Sequence, residues 1–241
     1  MKLSVIIPAY NEEKLLPVCL ARAFAALRAN AAPDWSAEVI VCDNNSTDRT
    51  AELARGAGAH VVFEPVNHIS RARNAGARAA TGDWLLFVDA DSYLHPATVA
   101  DLLRCIRRGR CAGGGCLIGL DEAPLDGRAI VGLWNLISRT VRWAAGSFVF
   151  CRAAAFAEIS GFSTDLYAAE EVHFSEKLKR WARGKGLEVV ILCRQPHISS
   201  GRKSRLYSRA EIVRHGLRCL LLPGPTLRDR ARLGFFYDGR R

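Results

Sequence analysis

The sequence lacks the features that mark membrane-spanning, secreted and zinc-binding chains. None of its apolar runs reaches the roughly 18 to 20 residues that a transmembrane helix needs. The short apolar stretch at residues 3–7 has no cleavage site behind it, so we expect a first strand and not a signal peptide. The eight cysteines include no Cys-x-x-Cys pair and no histidine at a zinc-ligand spacing, which favours buried, reduced thiols. We therefore expect a cytoplasmic protein.

Acidic residues are scarce toward the carboxyl end. The chain of 241 residues has a net charge of +10, and residues 194–241 hold eleven arginines and one lysine against three acids. Such a charge calls for an acidic partner, which is a nucleotide, a nucleic acid or an anionic membrane face. Apolar residues lie among the arginines of residues 206–241. This pattern predicts a basic amphipathic helical extension that either lies on a membrane or packs on the domain.

Short β-branched runs alternate with longer helical patterns through the first hundred residues. This alternation is typical of βαβ units, so we predict an α/β fold with a mostly parallel sheet and one domain over residues 1–205. The predicted strands are residues 3–7, 38–42, 60–63, 84–88, 116–118, 147–151 and 187–192. The predicted helices are residues 13–28, 48–57, 70–80, 96–107 and 172–183.

Polar residues follow three of these strands at the point where each strand ends. The three segments are PAYNEE at 8–13, DNNSTD at 43–48 and DADS at 89–92. In α/β sheets the ligand lies beyond the carboxyl ends of the strands, so we expect all three segments at one rim. Asp43 stands where a base or a ribose would bind, and Ser46 or Thr47 is predicted to cap the helix that follows.

Asp89 and Asp91 follow a strand that is apolar at every position and that we therefore expect to be buried on both faces. Two acids at its exit repel one another unless a cation or hydrogen-bond donors lie between them. Mg²⁺ and Mn²⁺ favour a few carboxylates together with phosphate oxygens. The pair predicts a divalent metal site, and an ordinary turn is the alternative.

As a set, these segments resemble the family 2 glycosyltransferases of the GT-A fold. The matching residues, in order and spacing, are VIIPAYNE at 5–12, CDNNSTD at 42–48, RARNAG at 71–76, FVDAD at 87–91, Gly161-Phe162 and Glu170-Glu171. The resemblance covers roughly residues 2–192. It implies a Rossmann-like sheet flanked by helices, with a nucleotide-binding half at about 1–95 and an acceptor and catalytic half at about 96–205. The implied activity is inverting transfer of a sugar from a UDP- or GDP-sugar to an acceptor hydroxyl, with Mg²⁺ or Mn²⁺.

The resemblance also implies roles for residues around the donor. Four residues after the first strand would pack around the base and ribose: Pro8, Ala9, Tyr10 and Glu12. Asp43 would hydrogen-bond the base, Asp89 would lie near the ribose, and Asp91 would hold the metal that bridges the two phosphates. Arg73 would lie near the donor, where a guanidinium meets a phosphate or an Asp in a forked geometry; a solvated helix face is the alternative.

Glu170 and Glu171 are the candidate general bases, because they open a predicted helix after a segment rich in Gly and aromatic residues. The family commonly has Glu-Asp here, with the second acid as the base, so we favour Glu171 over Glu170. The preference of acids for helix N-termini is the structural alternative. Asn44 is a second departure from the family, since an acid is frequent at its position.

Residues 196–203 form a basic segment behind the last predicted strand, and this segment resembles one that closes over the donor phosphates in some family members. There His197 would complete the metal shell as a neutral imidazole, and Arg202 and Lys203 would clamp the diphosphate. A mobile basic loop is the alternative.

Three other functions are alternatives. The departures at Asn44 and Glu171 permit a nucleotide-sugar-binding protein that has lost catalysis. A nucleotidyltransferase would carry an N-terminal Gly-rich loop with a following Lys or Arg, which residues 8–12 do not supply. Acids at the strand ends would repel the phosphates of a nucleic acid, so we expect no nucleic-acid partner.

The expected partners are a nucleotide-sugar donor, an acceptor that is lipid-linked or a glycan, and an anionic surface at the inner face of the membrane. Acceptor recognition is expected in a variable loop at residues 121–142. Trp134, Trp143 and Phe148 are expected to fill the core, with stacking on a sugar ring as the alternative.

Overall fold

The protein is built on one mixed sheet with helices on both faces. The computed structural model describes residues 1–121, 125–201, 227–229 and 233. The elements of these residues are, in order, β1 (Lys2–Ala9), α1 (Leu16–Ala29), β2 (Ser36–Asp43), α2 (Thr50–Gly56), β3 (His60–Phe63), α3 (Ile69–Ala79), β4 (Trp84–Val88), β5 (Ser92–Tyr93), α4 (Pro96–Arg107), β6 (Cys111–Leu120), α5 (Leu125–Val141), β7 (Phe148–Arg152), α6 (Ala153–Glu158), α7 (Glu170–Arg183) and β8 (Glu188–Ser199).

The order of the strands in the sheet is β3-β2-β1-β4-β7-β6-β8-β5. The first four strands of this order pair in parallel, as the βαβ alternation predicts. β7 then runs antiparallel between β4 and β6, while β6 and β8 are parallel and β5 and β8 antiparallel. The predicted α/β class is confirmed. The three polar segments follow β1, β2 and β4, which all belong to the parallel part of the sheet.

Alternate residues of the central strands belong to two separate apolar clusters. Leu3, Val5 and Ile7 of β1 pack in one cluster with residues of α1 and α4. Ile6 packs in the other cluster with Phe87 of β4 and with residues of α6 and α7. This alternation is the two-residue period of a strand that is covered on both faces. β4 is buried at all five positions, as its uniformly apolar sequence predicts.

Gly76 allows α3 to lie directly on β1. A Cβ atom at this position would lie 2.5 Å from the Ile6 Cγ2 atom, so a larger residue would push the helix away from the sheet. The close approach places the first turns of α3, including Arg73, beside the ends of β1 and β4.

Ser46 and Thr47 do not cap α2, contrary to the prediction. The helix begins at Thr50, and its first turn is instead served by Asp48, whose Oδ1 accepts a hydrogen bond from the Thr50 N–H at 2.9 Å. Ser46 Oγ accepts from the Asn11 N–H at 3.0 Å, and the Thr47 N–H donates to Asn11 Oδ1 at 2.8 Å. The two polar loops of the rim are therefore held to each other by Asn11.

Two later segments also differ from prediction. Residues 121–142, predicted as a loop, contain the helix α5, whose pattern is interrupted by Gly127 and Gly132. Residues 196–199, predicted as part of a loop, belong to β8, which continues along β6 after a register shift between Cys116 and Ile118. Both segments contact β6, α5 through Asn135 and β8 through strand pairing, and their local sequences do not indicate these contacts.

The predicted boundary between residues 205 and 206 and most of the predicted extension at 206–241 lie outside the described residues, as do Arg202 and Lys203. Within the described ranges, Leu233 is fully buried, and the Leu227 carbonyl accepts a hydrogen bond from the Tyr167 N–H at 2.8 Å. The seven described cysteines are free thiols, of which Cys193 is exposed. In the same ranges, no helix combines the length and hydropathy needed to cross a bilayer.

Candidate active site

A cavity of about 420 Å³ opens at the carboxyl ends of β1 and β4. It brings together most of the predicted site residues, which come from the end of β1 and the loop after it, from α3, from the turn after β4 and from the start of α7. The predicted residues in its wall are Pro8, Ala9, Tyr10, Glu12, Arg73, Asp89, Asp91, Glu170 and Glu171. The volume is in the range of small-molecule sites.

Arg73 lies at the junction of the cavity walls. Its side chain is 2% exposed, and its Nη1 donates to Glu170 Oε1 at 2.6 Å. Its Nη2 donates both to Asp89 Oδ1 and to the Gly146 carbonyl at 3.0 Å. Burial alone lowers the pKa of Arg73, but the negative charges of Asp89, Glu170 and Glu171 outweigh burial and raise it, so the guanidinium stays charged. Arg73 is therefore not on a solvated helix face, and it joins α3, β4 and α7.

Phe162 packs against this arginine and is itself held by Asn74. The Arg73 guanidinium carbon lies 5.2 Å from the centre of the Phe162 ring, in cation–π geometry. Asn74 exchanges two hydrogen bonds with the Phe162 backbone, at 2.9 and 3.0 Å. Gly161 has a φ of +57°, and a Cβ atom there would lie 2.6 Å from Asn74 Oδ1. The two motifs at 71–76 and 161–162 thus form one contact that fixes Arg73.

Glu170 and Glu171 have different surroundings although they are adjacent. Glu170 is 5% exposed and its carboxylate is paired with Arg73. Glu171 is half-buried in the cavity wall, close to Gly146, where a Cβ atom would lie 3.6 Å from the Glu171 carboxyl carbon. Burial raises the pKa of Glu171 to about 8, with Glu170 and Asp89 adding to the rise and Arg73 opposing it. Glu171 can therefore gain or lose a proton near neutral pH.

The turn at Asp89–Asp91 is fixed by its backbone. The Ser92 N–H donates to the Asp89 carbonyl at 3.1 Å, and the Ser200 N–H donates to the Asp91 carbonyl at 2.9 Å. The Asp89 carboxylate accepts a hydrogen bond from Arg73 Nη2 at 3.0 Å. Of the two acids in this turn, Asp89 therefore has a positively charged partner. Asp91 is among the residues that line the cavity, and a carboxylate is the kind of ligand that a hard cation prefers.

His197 lies in β8 behind the cavity wall. Its ring is fully buried, with its centre 5.1 Å from the centre of the Phe148 ring, and it does not line the cavity. Burial lowers the pKa of His197 to about 4, so the imidazole is neutral. Within the ranges that the structure describes, no group of three His, Cys, Asp or Glu side chains forms a metal cluster by itself. A role for His197 in metal binding stays a prediction.

Asp43 and Asn44 both make hydrogen bonds to the backbone of neighbouring loops, which the sequence did not indicate. Asp43 is 7% exposed, accepts from the Ser46 N–H at 3.1 Å and does not line the cavity, so its contact with a base stays a prediction. The Asn44 amide lines the cavity and donates to the carbonyls of Glu64 and Val66 at 3.1 and 2.6 Å. A carboxylate cannot donate these two bonds, which explains why this chain has Asn where an acid is frequent.

Several cavity residues were missed or assigned elsewhere. Asn67 lies four residues after the end of β3, so the rule that ligands bind beyond strand ends also points to it. Phe148 is fully buried, as expected. Trp134 of α5, which we expected in the core, lines the cavity instead. Trp143, also expected in the core, is half-buried, and its Nε1 donates to Glu176 Oε1 at 2.5 Å. Asn67 Nδ2 and Trp134 Nε1 are buried atoms without a hydrogen-bond partner among the described residues. Both are donors available to a ligand.

Solved structures share this architecture. Staphylococcus aureus TarS 1-349 superposes with a TM-score of 0.61 and 22% identity, covering 86% of this chain and 62% of that one. The mannosyltransferase PcManGT from Pyrobaculum calidifontis superposes with a TM-score of 0.67 and 20% identity, covering 94% of this chain and 62% of that one. The chain has the GT-A fold, as its motifs predict.

The chain belongs to glycosyl transferase family 2, whose model matches residues 4–156. It is 37% identical over 106 residues to an uncharacterized glycosyltransferase of Mycobacterium bovis, a match that covers 44% of each protein. It is 36% identical over 113 residues to the undecaprenyl-phosphate 4-deoxy-4-formamido-L-arabinose transferase of Pectobacterium carotovorum, covering 44% of this chain and 34% of the relative. The matched part of the chain thus spans less than half of either curated relative.

Proposed function

We propose that this chain transfers a sugar from a nucleoside diphosphate to an acceptor within the cavity at the end of β1 and β4. The observation that carries the proposal is the meeting of two acidic segments in one cavity. The turn at Asp89–Asp91 and the pair Glu170-Glu171 lie far apart in sequence, yet Arg73 contacts both. In this proposal the Asp89–Asp91 turn binds the donor and its metal ion, and the Glu170-Glu171 pair supplies the general base.

The proposed donor is a UDP- or GDP-sugar. In support, TarS 1-349 has been crystallised with UDP-GlcNAc, and PcManGT with GDP-Man and Mn²⁺. The base and ribose would occupy the side of the cavity formed by Pro8, Tyr10, Glu12 and Asn67, with Asp89 near the ribose. Arg202 and Lys203, which lie outside the described residues, stay candidates for the diphosphate clamp.

The proposed metal is Mg²⁺ or Mn²⁺, with Asp91 as its protein ligand. The residues fit such an ion, because Mg²⁺ is commonly held by one or two carboxylates plus phosphate oxygens and not by an all-protein cage. When bound, the ion would neutralise the charge that develops on the departing diphosphate.

Glu171 is the proposed general base. Its carboxylate would take the proton of the acceptor hydroxyl while the hydroxyl oxygen bonds to the anomeric carbon and the bond from that carbon to the diphosphate breaks. Attack from the face opposite the leaving group inverts the anomeric centre. Glu170 is unsuited to this step because Arg73 neutralises it. Arg73 would keep the two carboxylates in place and limit their mutual repulsion.

The proposed acceptor is lipid-linked. The support is the name of the Pectobacterium relative, an undecaprenyl-phosphate transferase. Such an acceptor would place the protein at the inner face of the membrane, to which the basic residues 206–241 would contribute by attracting anionic lipid.

Donor turnover tests the proposed function. The purified chain would be incubated with a series of UDP- and GDP-sugars, with and without Mn²⁺, and the release of free nucleoside diphosphate would be measured. We expect one donor to be hydrolysed slowly in the presence of Mn²⁺ and EDTA to stop the release. Tight donor binding without any turnover, with or without a lipid fraction as acceptor, would indicate a binding protein that has lost catalysis.

A further inference from the structure

The helix α5 turns an apolar face to solvent. Ile130, Leu133 and Leu136 are 60%, 61% and 61% exposed, which makes them the most exposed large apolar side chains described. Ala129 is also exposed and lies one turn before Leu133, so these residues form a continuous stripe along the helix. Single exposed leucines are ordinary, but a contiguous apolar stripe marks an interaction surface.

The opposite face of α5 is the one that holds the helix to the domain. Asn135 exchanges two hydrogen bonds with the Ile118 backbone of β6, at 3.0 and 2.9 Å. Ser138 is buried and donates to the Trp143 carbonyl at 2.7 Å. Most surface helices of soluble domains bury their apolar side and expose their polar side. In α5 the polar contacts fix the helix and the leucines are left outside.

Arginines lie along the edge of the apolar stripe. Arg128 and Arg139 are both exposed and lie about three helical turns apart, so they share one side of the helix. Arg142 is exposed just beyond the end of α5, and the Lys179 ammonium donates to the Val141 carbonyl at 2.9 Å nearby. An apolar stripe with a basic edge is the pattern of a helix that lies in the interface of an anionic bilayer.

We propose that α5 docks the protein on an anionic membrane surface. Ile130, Leu133 and Leu136 would enter the boundary between headgroups and acyl chains, while Arg128 and Arg139 would meet lipid phosphates. The arginines favour a membrane over a second copy of the chain. In a two-fold dimer the same patch faces itself, so the arginines of both copies would be brought together in a partly desolvated interface.

The docking surface and the cavity lie on two sides of one helix. Trp134 of α5 lines the cavity, whereas Leu133 and Leu136 face outward. A helix with its side chains is about 10 Å thick, so docking through α5 would bring the bilayer surface to within about that distance of Trp134 in the cavity wall. The use of this proximity by a lipid-linked acceptor rests on the proposed function, whereas the docking surface itself does not.

Vesicle binding by the full chain tests the proposal. Co-sedimentation would be measured with vesicles of phosphatidylglycerol and phosphatidylcholine and with vesicles of phosphatidylcholine alone. We expect Leu133→Gln/Leu136→Gln to weaken binding at least tenfold, because two leucines no longer enter the bilayer while glutamine preserves the helix. Arg128→Gln/Arg139→Gln should remove most of the preference for the anionic vesicles. The matched control is Phe63→Thr, which removes a 59% exposed aromatic side chain from the edge strand β3 and should bind as the wild type does.

The outcomes separate this proposal from the proposed function. Equal vesicle binding by the wild type and the double Leu variant, or no binding by the wild type, would overturn the docking surface. So would a dimer in light scattering that the double Leu variant dissociates, since it would assign the stripe to a second copy. Nucleotide binding is measured on the same samples: it should be unchanged in every variant, which shows that the fold is intact. Its absence from the wild type would count against the proposed function alone.

Discussion

The two sides of the cavity are held together by different kinds of contact. On the donor side, the loops after β1 and β2 are joined by several separate contacts. Among them are neutral hydrogen bonds, from the Asn11 N–H to Ser46 Oγ and from the Glu12 N–H to Thr50 Oγ1 at 2.8 Å. The ion pair between these loops, Arg49 with Glu13, is exposed. The catalytic side depends on one buried cation: Arg73 donates to Glu170 and to the Gly146 carbonyl, and it joins both to Asp89 of the donor side. Where several separate contacts join two loops, a substitution removes only one of them and its cost in free energy is small. Where one buried cation holds several groups, its removal leaves each of those groups without a partner. Substitutions on the catalytic side should therefore have the larger effects.

Replacement of the proposed base should have the largest effect. Glu171→Gln keeps the size of the side chain but cannot accept a proton, so we expect turnover to fall by about two to four orders of magnitude, with donor affinity preserved. The measurements are steady-state turnover and the dissociation constant of the donor. Glu170→Gln is the paired variant, and a severe turnover defect confined to it would transfer the role of base to Glu170.

Loss of the buried cation should mainly affect stability. Arg73→Met leaves Glu170 buried without its partner, so we expect the free energy of unfolding to fall by about 3 to 5 kcal/mol. Urea denaturation measures it. Arg78→Met is the control on the same helix, since Arg78 is 69% exposed and 4.0 Å from Glu64, and should cost about 0 to 1 kcal/mol. Equal losses in the two variants would mean that Arg73 does not hold the catalytic side together.

Asp91→Ala should separate metal binding from folding. We expect Mn²⁺ to lose its effect on donor affinity in this variant, with the melting temperature within a few degrees of the wild type, because the turn is fixed by backbone contacts. Titration calorimetry of the donor with and without Mn²⁺ measures the change. Asp165→Ala removes an exposed acid outside the cavity wall and should leave the Mn²⁺ effect intact. An undiminished Mn²⁺ effect in Asp91→Ala would place the ion elsewhere.

Asn44→Asp should give the smallest change. The variant removes the amide donors to the carbonyls of Glu64 and Val66, so we expect a loss of about 1 to 3 kcal/mol in the free energy of unfolding. Asn45→Asp adds the same charge at an exposed neighbouring position and should be nearly silent. If Asn44→Asp matched this control, the amide bonds would not explain the residue.

Sequence patterns predicted the parts of the molecule whose cause is local. The bounds of β3, β4 and α4 agree with the structure because each is marked locally: β3 and β4 are short runs rich in apolar residues, and Pro96 stands at the start of α4. The rim loops follow from the rule on strand ends. The contact between Arg73 and Glu170 joins residues 97 positions apart and has no local signal. The same holds for the extension of β8 along β6, which depends on a register shift. These two features depend on contacts between distant parts of the chain, which local sequence patterns do not indicate.

The pH dependence of kcat/KM tests the central claim, that Glu171 is the general base while Glu170 is held in an ion pair with Arg73. A base must be ionised to act, and kcat/KM reports the free enzyme, so the wild-type value should rise with pH to a midpoint at about 8, the raised pKa of Glu171. In Glu170→Gln the neighbouring negative charge is gone and the midpoint should move to lower pH, while Glu171→Gln should lose it. A wild-type profile that is flat from pH 6 to 9, or a midpoint that Glu171→Gln retains, would contradict the assignment of Glu171.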